Sequence, residues 1–387
     1  MDTSTIKVSN FRVRDVNVRG EAAAGFESTW GVKQLPLGRE KFEFEIAGVP
    51  TSVPNAIQRT MMDEMKGYCL AVKDGGFSRI ESTDPFMSEK FVVDRIMYIP
   101  LRPKLNEAEI KNFKFELHYD NTTTNAVAVF AGDLTPVDCV ITQPLFNPTI
   151  EIALLQPGKS IHITGIHISE GYGHQLSAFS PVCRCALRPL DIEQYTDAQI
   201  RLDRDAIDAP ELNIQGKIVI ADMSGFKKSS LVANSRRHAV SGWLPAVEKN
   251  SDVARFVVVD ACSSIMVRLG NIRKMLETDD IQKATQLVVT STDRGATQGV
   301  LTIGESHTVA NLIKRSVFEL WPDIGFIGYK YDLYTETSRI TMIKTQDDDI
   351  DDMFVRAIKH TYNIFETIRR QVKAIAIIND DELPLGL

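Results

Sequence analysis

The sequence predicts an α+β protein built as an intramolecular pseudo-dimer, with a β-rich subdomain set into its first half. Three observations predict this. A signature of one strand followed by one capped helix occurs twice, at Ser52–Arg59 and at Thr308–Arg315. Each half then ends in an amphipathic helical stretch, and the long region after the first signature is dense in short strand-like runs. At 387 residues the chain is also too long for one ordinary domain, so at least two cores are expected.

In order along the chain, residues 41–46 (Lys-Phe-Glu-Phe-Glu-Ile) alternate apolar and charged side chains, as a half-buried strand does. A turn at Gly48-Val49-Pro50 follows. Ser52 is then expected to cap a helix with Pro54 in its first turn, and Ile57, Met61, Met62 and Met65 supply its apolar stripe up to Gly67. In the second copy, residues 299–303 (Gly-Val-Leu-Thr-Ile) read as the strand. Thr308 takes the capping position ahead of Leu312, Ile313, Phe318 and Leu320. Aligned, the copies share Ser/Thr-Val-x-Asn-x-Ile-Gln/Lys-Arg. Any two capped amphipathic helices share cap and apolar positions, but the matching Asn55/Asn311 and Arg59/Arg315 lie outside that requirement. Their separation is far beyond the ~20–50 residues of a solenoid repeat, so two related domains fit better.

Between the copies, 114–118, 126–130, 161–168 and 182–187 read as strands separated by turns such as Gln156-Pro157-Gly158-Lys159. The apolar residues Ile265, Leu269, Ile272 and Leu276 recur at helical spacing. So do Ile350, Phe354, Ala357, Thr361, Phe365, Ile368 and Val372 in a longer run. Periodicity alone allows these two helices to pack on each other or each to cover its own sheet. The expected division is a first dimerisation domain at 1–67 and 220–278, an insert at 68–219, a linker at 279–297, a second dimerisation domain at 298–378 and an acidic tail at 379–387. The stretch 223–252 reads as an exposed loop with Lys227-Lys228 and Arg236-Arg237.

Composition narrows the chemistry. A net charge of −7 and a pI of about 5.6 argue against broad attachment to nucleic acid, which needs a basic face to displace counterions. Five cysteines without framework spacing suit a reducing compartment. No signal peptide is expected at Met1, and no stretch approaches the ~18 apolar residues of a membrane span. The protein is therefore expected to be soluble and intracellular.

Pro157-Gly158-Lys159-Ser160 lacks the earlier glycine of a phosphate loop, since Ala153 stands there, and reads as a β-turn. Cys183 and Cys185 have neither the spacing nor the second pair of a zinc site. His162 and His167 read as ordinary strand positions. Asp347–Asp352 is the densest carboxylate run. It complements the dipole of the helix that follows, with Asp348 or Asp349 as cap, better than it suggests magnesium. No Ser/His/Asp, Cys/His or nucleotide fingerprint is present, and the reading is non-catalytic.

The doubled signature resembles a known pair. Residues 42–72, with the helix Asn55–Glu64, resemble the first interface helix of the alpha-like RNA polymerase subunits: bacterial alpha, its archaeal D-type counterpart and the third subunit of eukaryotic polymerase II. Residues 89–101 (Glu-Lys-Phe-Val-Val-Asp-Arg-Ile-Met-Tyr-Ile-Pro-Leu) are similar to that family's E-F-x-x-H-R-(L/I)-G-x-I-P-(L/I), with Asp94 for His and Met97 for Gly. Residues 156–182 resemble its loop ending in a W-x-P-like element. In the second half, Glu305–Ile313 is similar to the E-x-H-T-L-(G/A)-N-L-(I/L) of the small partner, the archaeal L-type protein or the eleventh eukaryotic subunit. Phe326–Lys330 is similar to its F-A-G-Y-K. The matches cover most of 36–375, and the joining of both partners in one chain resembles the arrangement in some large DNA viruses.

The resemblance implies two alpha-like dimerisation domains packed through their helices, and a non-catalytic assembly platform of a DNA-directed RNA polymerase. The implied partners are the two largest subunits, which hold the active site and its magnesium, and small zinc-binding subunits. DNA would be met only through the complex, and no membrane is involved. The zinc or iron–sulfur insertion of some relatives is expected to be absent, because no cysteine lies between Cys69 and Cys139. Ile57, Met61, Leu312, Ile313, Phe365 and Ile368 are the expected interface between halves. Arg59, Arg95 and Arg315 are the candidates for contact with a large subunit. Host cytoplasm or nucleus, and the virion, are the compartments implied for a viral chain. The alternative is a freestanding interaction or regulatory protein with the same core.

Overall fold

The structure, a computed structural model, describes residues 3–16, 39–72, 80–85, 87–99, 101, 113–137, 145–146, 150–189, 228–235, 251–277, 285–291, 296–344, 349–376 and 378–379. It is a mixed α+β fold, with four sheets among the described residues.

Strands β1 (Lys7–Val16) and β2 (Arg39–Ala47) form an antiparallel pair. The alternation read in β2 is physical, since Phe42, Phe44 and Ile46 are fully buried while the glutamates between them are not. The chain then reverses at Gly48, whose φ is +79°. A Cβ there would sit 2.3 Å from the Thr5 carbonyl oxygen, so this turn requires glycine. Helix α1 (Ser52–Arg59) follows and runs on through a π-helical turn at Thr60–Glu64. Next come β3 (Lys66–Val72), β4 (Ile80–Ser82), helix α2 (Glu89–Met97) and strands β5 (Lys114–Asp120), β6 (Val127–Phe130), β7 (Leu134–Val137), β8 (Glu151–Leu155) and β9 (Ser160–Tyr172). Strands β10 (Val182–Pro189) and β11 (Lys228–Ser235) precede the long helix α3 (Ser251–Glu277). The second half comprises β12 (Thr285–Ser291), β13 (Thr297–Ile303), α4 (His307–Leu320), β14 (Phe326–Asp332), β15 (Thr337–Lys344), α5 (Ile350–Ala374) and β16 (Ile378–Asn379).

One sheet has the order β10-β11-β2-β1-β16, and the short β16 joins β1 in parallel, so among the described residues the last strand extends the sheet of the first. A second, antiparallel sheet runs β12-β13-β15-β14. A third runs β3-β9-β5-β7 with β4 on β9, beside the pair β6-β8. Two large cores result. One lies under the third sheet and α2, around Leu70, Ile96, Phe115, Leu117 and Ile163. The other is a single cluster that takes in Phe42 and Phe44, the apolar stripes of α1, α3, α4 and α5, and Leu301, Ile303 and Ile340 of the second sheet.

Several expectations are corrected. Ser52 does not cap α1: the cap position falls on Thr51, whose dihedrals are already helical and whose side chain makes no capping bond, and the Val53 amide donates to the Pro50 carbonyl. The cap of α4 is Ser306 and not Thr308: extended Ser306 turns its hydroxyl onto the Thr308 amide. The supposed loop at 223–252 contains β11, which pairs with both β2 and β10. Its flanking Lys and Arg pairs masked the run Leu231-Val232-Ala233 that suits a strand. The supposed linker at 279–297 contains β12, a β-branched run aligned on β13. Strand β10, included in the insert of 68–219, belongs to the sheet of β2, whereas β3 to β9 pair among themselves. Asn379, placed in the tail, lies in β16. Residues 190–219, 380–387, Cys139, Asp347 and Asp348 lie outside the described residues.

Candidate functional site

The feature with most chemical content is the seam between the two halves. Helix α1 packs on α4, and α3 packs along α5. Ile57, Met61, Ile313, Phe365 and Ile368 are fully buried and Leu312 is 2% exposed, all within the one shared cluster. Polar pairs register the same surfaces. The buried Ser316 and Thr361 hydroxyls of α4 and α5 meet at 2.7 Å. Gln371 of α5 accepts from the Val8 amide at 2.7 Å and donates to the Ile6 carbonyl at 2.7 Å, so a side chain takes the place of a neighbouring strand at the start of β1. Arg255 of α3 donates to the Ile375 carbonyl at 2.7 Å.

The densest polar contact joins Glu64, at the end of the π-turn, and Arg268 of α3 to Glu305, Ser306 and Thr308 at the start of α4. Arg268 donates to Glu64, to Glu305 from Nε at 2.7 Å, and to the Ser306 hydroxyl at 3.2 Å. Glu64 also accepts from the hydroxyls of Thr308 at 2.6 Å and Ser306 at 2.8 Å. Thr308 stands one residue inside α4, past its cap position, and its hydroxyl is turned onto Glu64. The side chains of Arg268 and Glu305 are 19% exposed and that of Glu64 11%, so the charges interact in a medium far less polar than water. Burial on its own pushes the Glu64 carboxyl up. The Arg268 charge and the three donors outweigh it and hold Glu64 below its ordinary 4.5. Burial likewise pulls Arg268 down, and Glu305 and Glu64 more than restore it.

A carboxyl held low in the folded state contributes stability that is present above its unfolded value and lost as pH falls through the folded one. The melting temperature is therefore expected to fall as pH drops below about 4.5, and Glu64→Gln is expected to remove part of that dependence. Thermal denaturation followed by circular dichroism across this range checks both.

The three candidate arginines occupy separate places. Arg59 lines an open groove beside the Glu64–Arg268 contact. Arg95, at the end of α2, lies over the Phe91 ring at 4.9 Å and reaches the Glu151 carbonyl at 3.2 Å. Arg315 lies over Phe318 at 5.5 Å and pairs with Glu319 of its own helix at 3.5 Å. Sequence reading missed Arg268. Its one signal was a charge adjoining Leu269 within an apolar stripe.

The other candidates resolve simply. Gly158 sits in the turn between β8 and β9 with its amide on the Asn121 carbonyl. His162 faces His118 across β5 and β9, with ring nitrogens 3.3 Å apart. Cys185 is buried, which pushes its thiol up to about 12. Asp349 caps α5, accepting from the Asp351 amide at 3.0 Å. Among the described residues no cluster of three or more His, Cys, Asp and Glu side chains is arranged to hold a metal, and no helix is long and apolar enough to cross a membrane.

No family model matches the chain. It is 32% identical over 346 residues, 88% of this chain and 89% of the relative, to the DNA-directed RNA polymerase RPB3-11 homolog of African swine fever virus isolate Pig/Kenya/KEN-50/1950. The proteins of the same name from isolate Tick/Malawi/Lil 20-1/1983 and strain Badajoz 1971 Vero-adapted are 31% identical over the same shares.

Proposed function

This chain belongs to the family of the RPB3-11-type DNA-directed RNA polymerase subunits of a large DNA virus, and from that premise we propose that it is the polymerase's non-catalytic assembly platform, recruiting the two largest subunits. The observation that carries this reading is the seam. A shared apolar cluster and the mostly buried Glu64–Arg268–Glu305 contacts join the halves. Halves joined in this way present a fixed outer surface on which larger subunits can be registered. In this reading the halves are two alpha-like domains paired as an intramolecular pseudo-dimer, and β3 to β9 with α2 form an insert projecting from the first. Fusion replaces an encounter between two subunits by an intramolecular one, worth a millimolar effective concentration even through a flexible linker. Small zinc-binding subunits would dock beside the large ones, DNA would be met only through the complex, and the magnesium of nucleotidyl transfer would belong to a large subunit. The compartment would be that of viral transcription, in host cytoplasm or nucleus, and the virion. The similarity over 88% of the chain to proteins named as polymerase subunits gives the freestanding alternative no support.

Arg59, half-buried and not locked against a carboxylate of its own helix, is the arginine best suited to a large-subunit contact. Arg59→Ala, which removes the side chain without adding a carboxylate to the groove, is expected to weaken co-purification with the two largest subunits about tenfold, with little change in melting temperature. Arg95→Glu and Arg315→Glu, which also lose contacts to Glu151 and Glu319, are expected to lower thermal stability as well. Pull-down at graded salt checks the order, and unchanged binding for all three would remove these residues from the contact.

A further inference from the structure

The groove beside the seam measures about 780 Å³ and is lined by both halves. Each half contributes aromatic rings to it. From the first, Tyr172 stacks on His174 with ring centroids 5.6 Å apart and planes 20° from parallel. From the second, His307 lies 4.5 Å from Tyr331 and 5.9 Å from Tyr329. The first aromatic pair is fixed in place. The His174 amide and Nδ1 both donate to the Asp63 carbonyl, at 3.1 and 3.0 Å. Gly173 between the rings presses so closely on the π-turn that a Cβ would lie 2.2 Å from the Met62 carbonyl oxygen. Tyr172 nevertheless stays 41% exposed, so its ring is available to an incoming group.

The charge of the groove is unbalanced. Five carboxylates line it against two guanidiniums; Arg268, Glu64 and Glu305 are committed to one another, and Asp63 and Glu336 remain available to a guest. An anion such as a phosphate backbone would meet this surplus of carboxylates. An apolar helix would bury the Asp63 and Glu336 carboxylates without partners, at a cost of several kcal/mol for each charge. A cation flanked by aromatic rings gains from both features, because ring faces attract it and carboxylates neutralise it.

Resting on the assembly reading above, we propose that this groove receives a basic segment of a neighbouring polymerase subunit, an arginine or lysine side chain entering between Tyr172/His174 and His307/Tyr331 and pairing with Asp63 and Glu336. Because the rings come from different halves, the site exists only when the halves are correctly joined. The neighbouring subunit would thereby sense completion of the seam.

The test uses the assembled polymerase purified through this chain, with Tyr331 replaced by the photo-crosslinking residue benzoylphenylalanine. Irradiation is expected to attach a fragment of another subunit that carries arginine or lysine. Combining the replacement with Asp63→Asn and Glu336→Gln is expected to lower the yield several-fold while the chain still co-purifies. A crosslinked fragment without a basic residue, a crosslink only to nucleic acid or within this chain, or a yield untouched by the double neutralisation would overturn the proposal. Absence of other subunits before irradiation would instead defeat the assembly reading, and this inference with it.

Discussion

Aspartate at both Ile57 and Ile313 is expected to abolish cooperative folding of the core that the two halves share. Both side chains are fully buried in the cluster shared by the two halves, on α1 and α4, which pack on each other. Both positions lie among apolar side chains of that cluster. Removing a carboxylate from water without a partner costs several kcal/mol, and two such costs fall within the ~5–15 kcal/mol that holds a domain together. Ile57→Leu with Ile313→Leu keeps volume and polarity and is expected to cost less than about 1.5 kcal/mol at each site. Circular dichroism melting separates the outcomes: loss of the transition of the shared core for the aspartate pair, and a slightly lowered one for the leucine pair. An unchanged melting temperature with both aspartates in place would show that these residues do not hold the halves together.

The second large effect is expected at Arg268. Arg268→Met keeps most of the side-chain volume but strips the cation from between Glu64 and Glu305, leaving two mostly buried carboxylates facing each other. Breaking a buried pair by removing one partner typically costs about 3–5 kcal/mol. Adding Glu64→Gln and Glu305→Gln is expected to recover much of that loss, since the desolvated charges disappear with their partner. Denaturant unfolding of the single and triple variants measures both. A loss below about 0.5 kcal/mol for Arg268→Met would place it in the range of ordinary surface substitutions.

These two sites also show what the sequence discloses and what it withholds. Ile57 and Ile313 are legible because a helix buried on one face repeats its apolar residues every three or four positions, and both helices carry that repeat beside matching Asn and Arg residues. The strand at Phe42–Ile46 is legible through its period of two. Arg268, Glu64 and Glu305 are not, because a buried ion pair has no local period: each residue alone looks like the solvated face of a helix. Thr308 shows the same limit at one atom. Its hydroxyl, beside a helix start, reads as a cap; the helix starts one residue earlier, Ser306 caps it, and the Thr308 hydroxyl donates to a carboxylate from the other half. Strands β11, β12 and β16 escape a local reading because their order comes from distant partners, β2, β13 and β1. In β11 the charged flanks hide the short apolar run. In β16 two residues are too few to carry any pattern. Family likeness supplies what periodicity does not, namely that the two halves correspond to different partners.

Native mass spectrometry of the polymerase purified through a tag on this chain tests the platform reading most directly. One copy of the chain is predicted in each complex, together with one each of the two largest subunits, and its loss is predicted to separate those subunits. A chain recovered alone would contradict this reading. So would two copies per complex, which would mean that the halves pair between molecules and not within one.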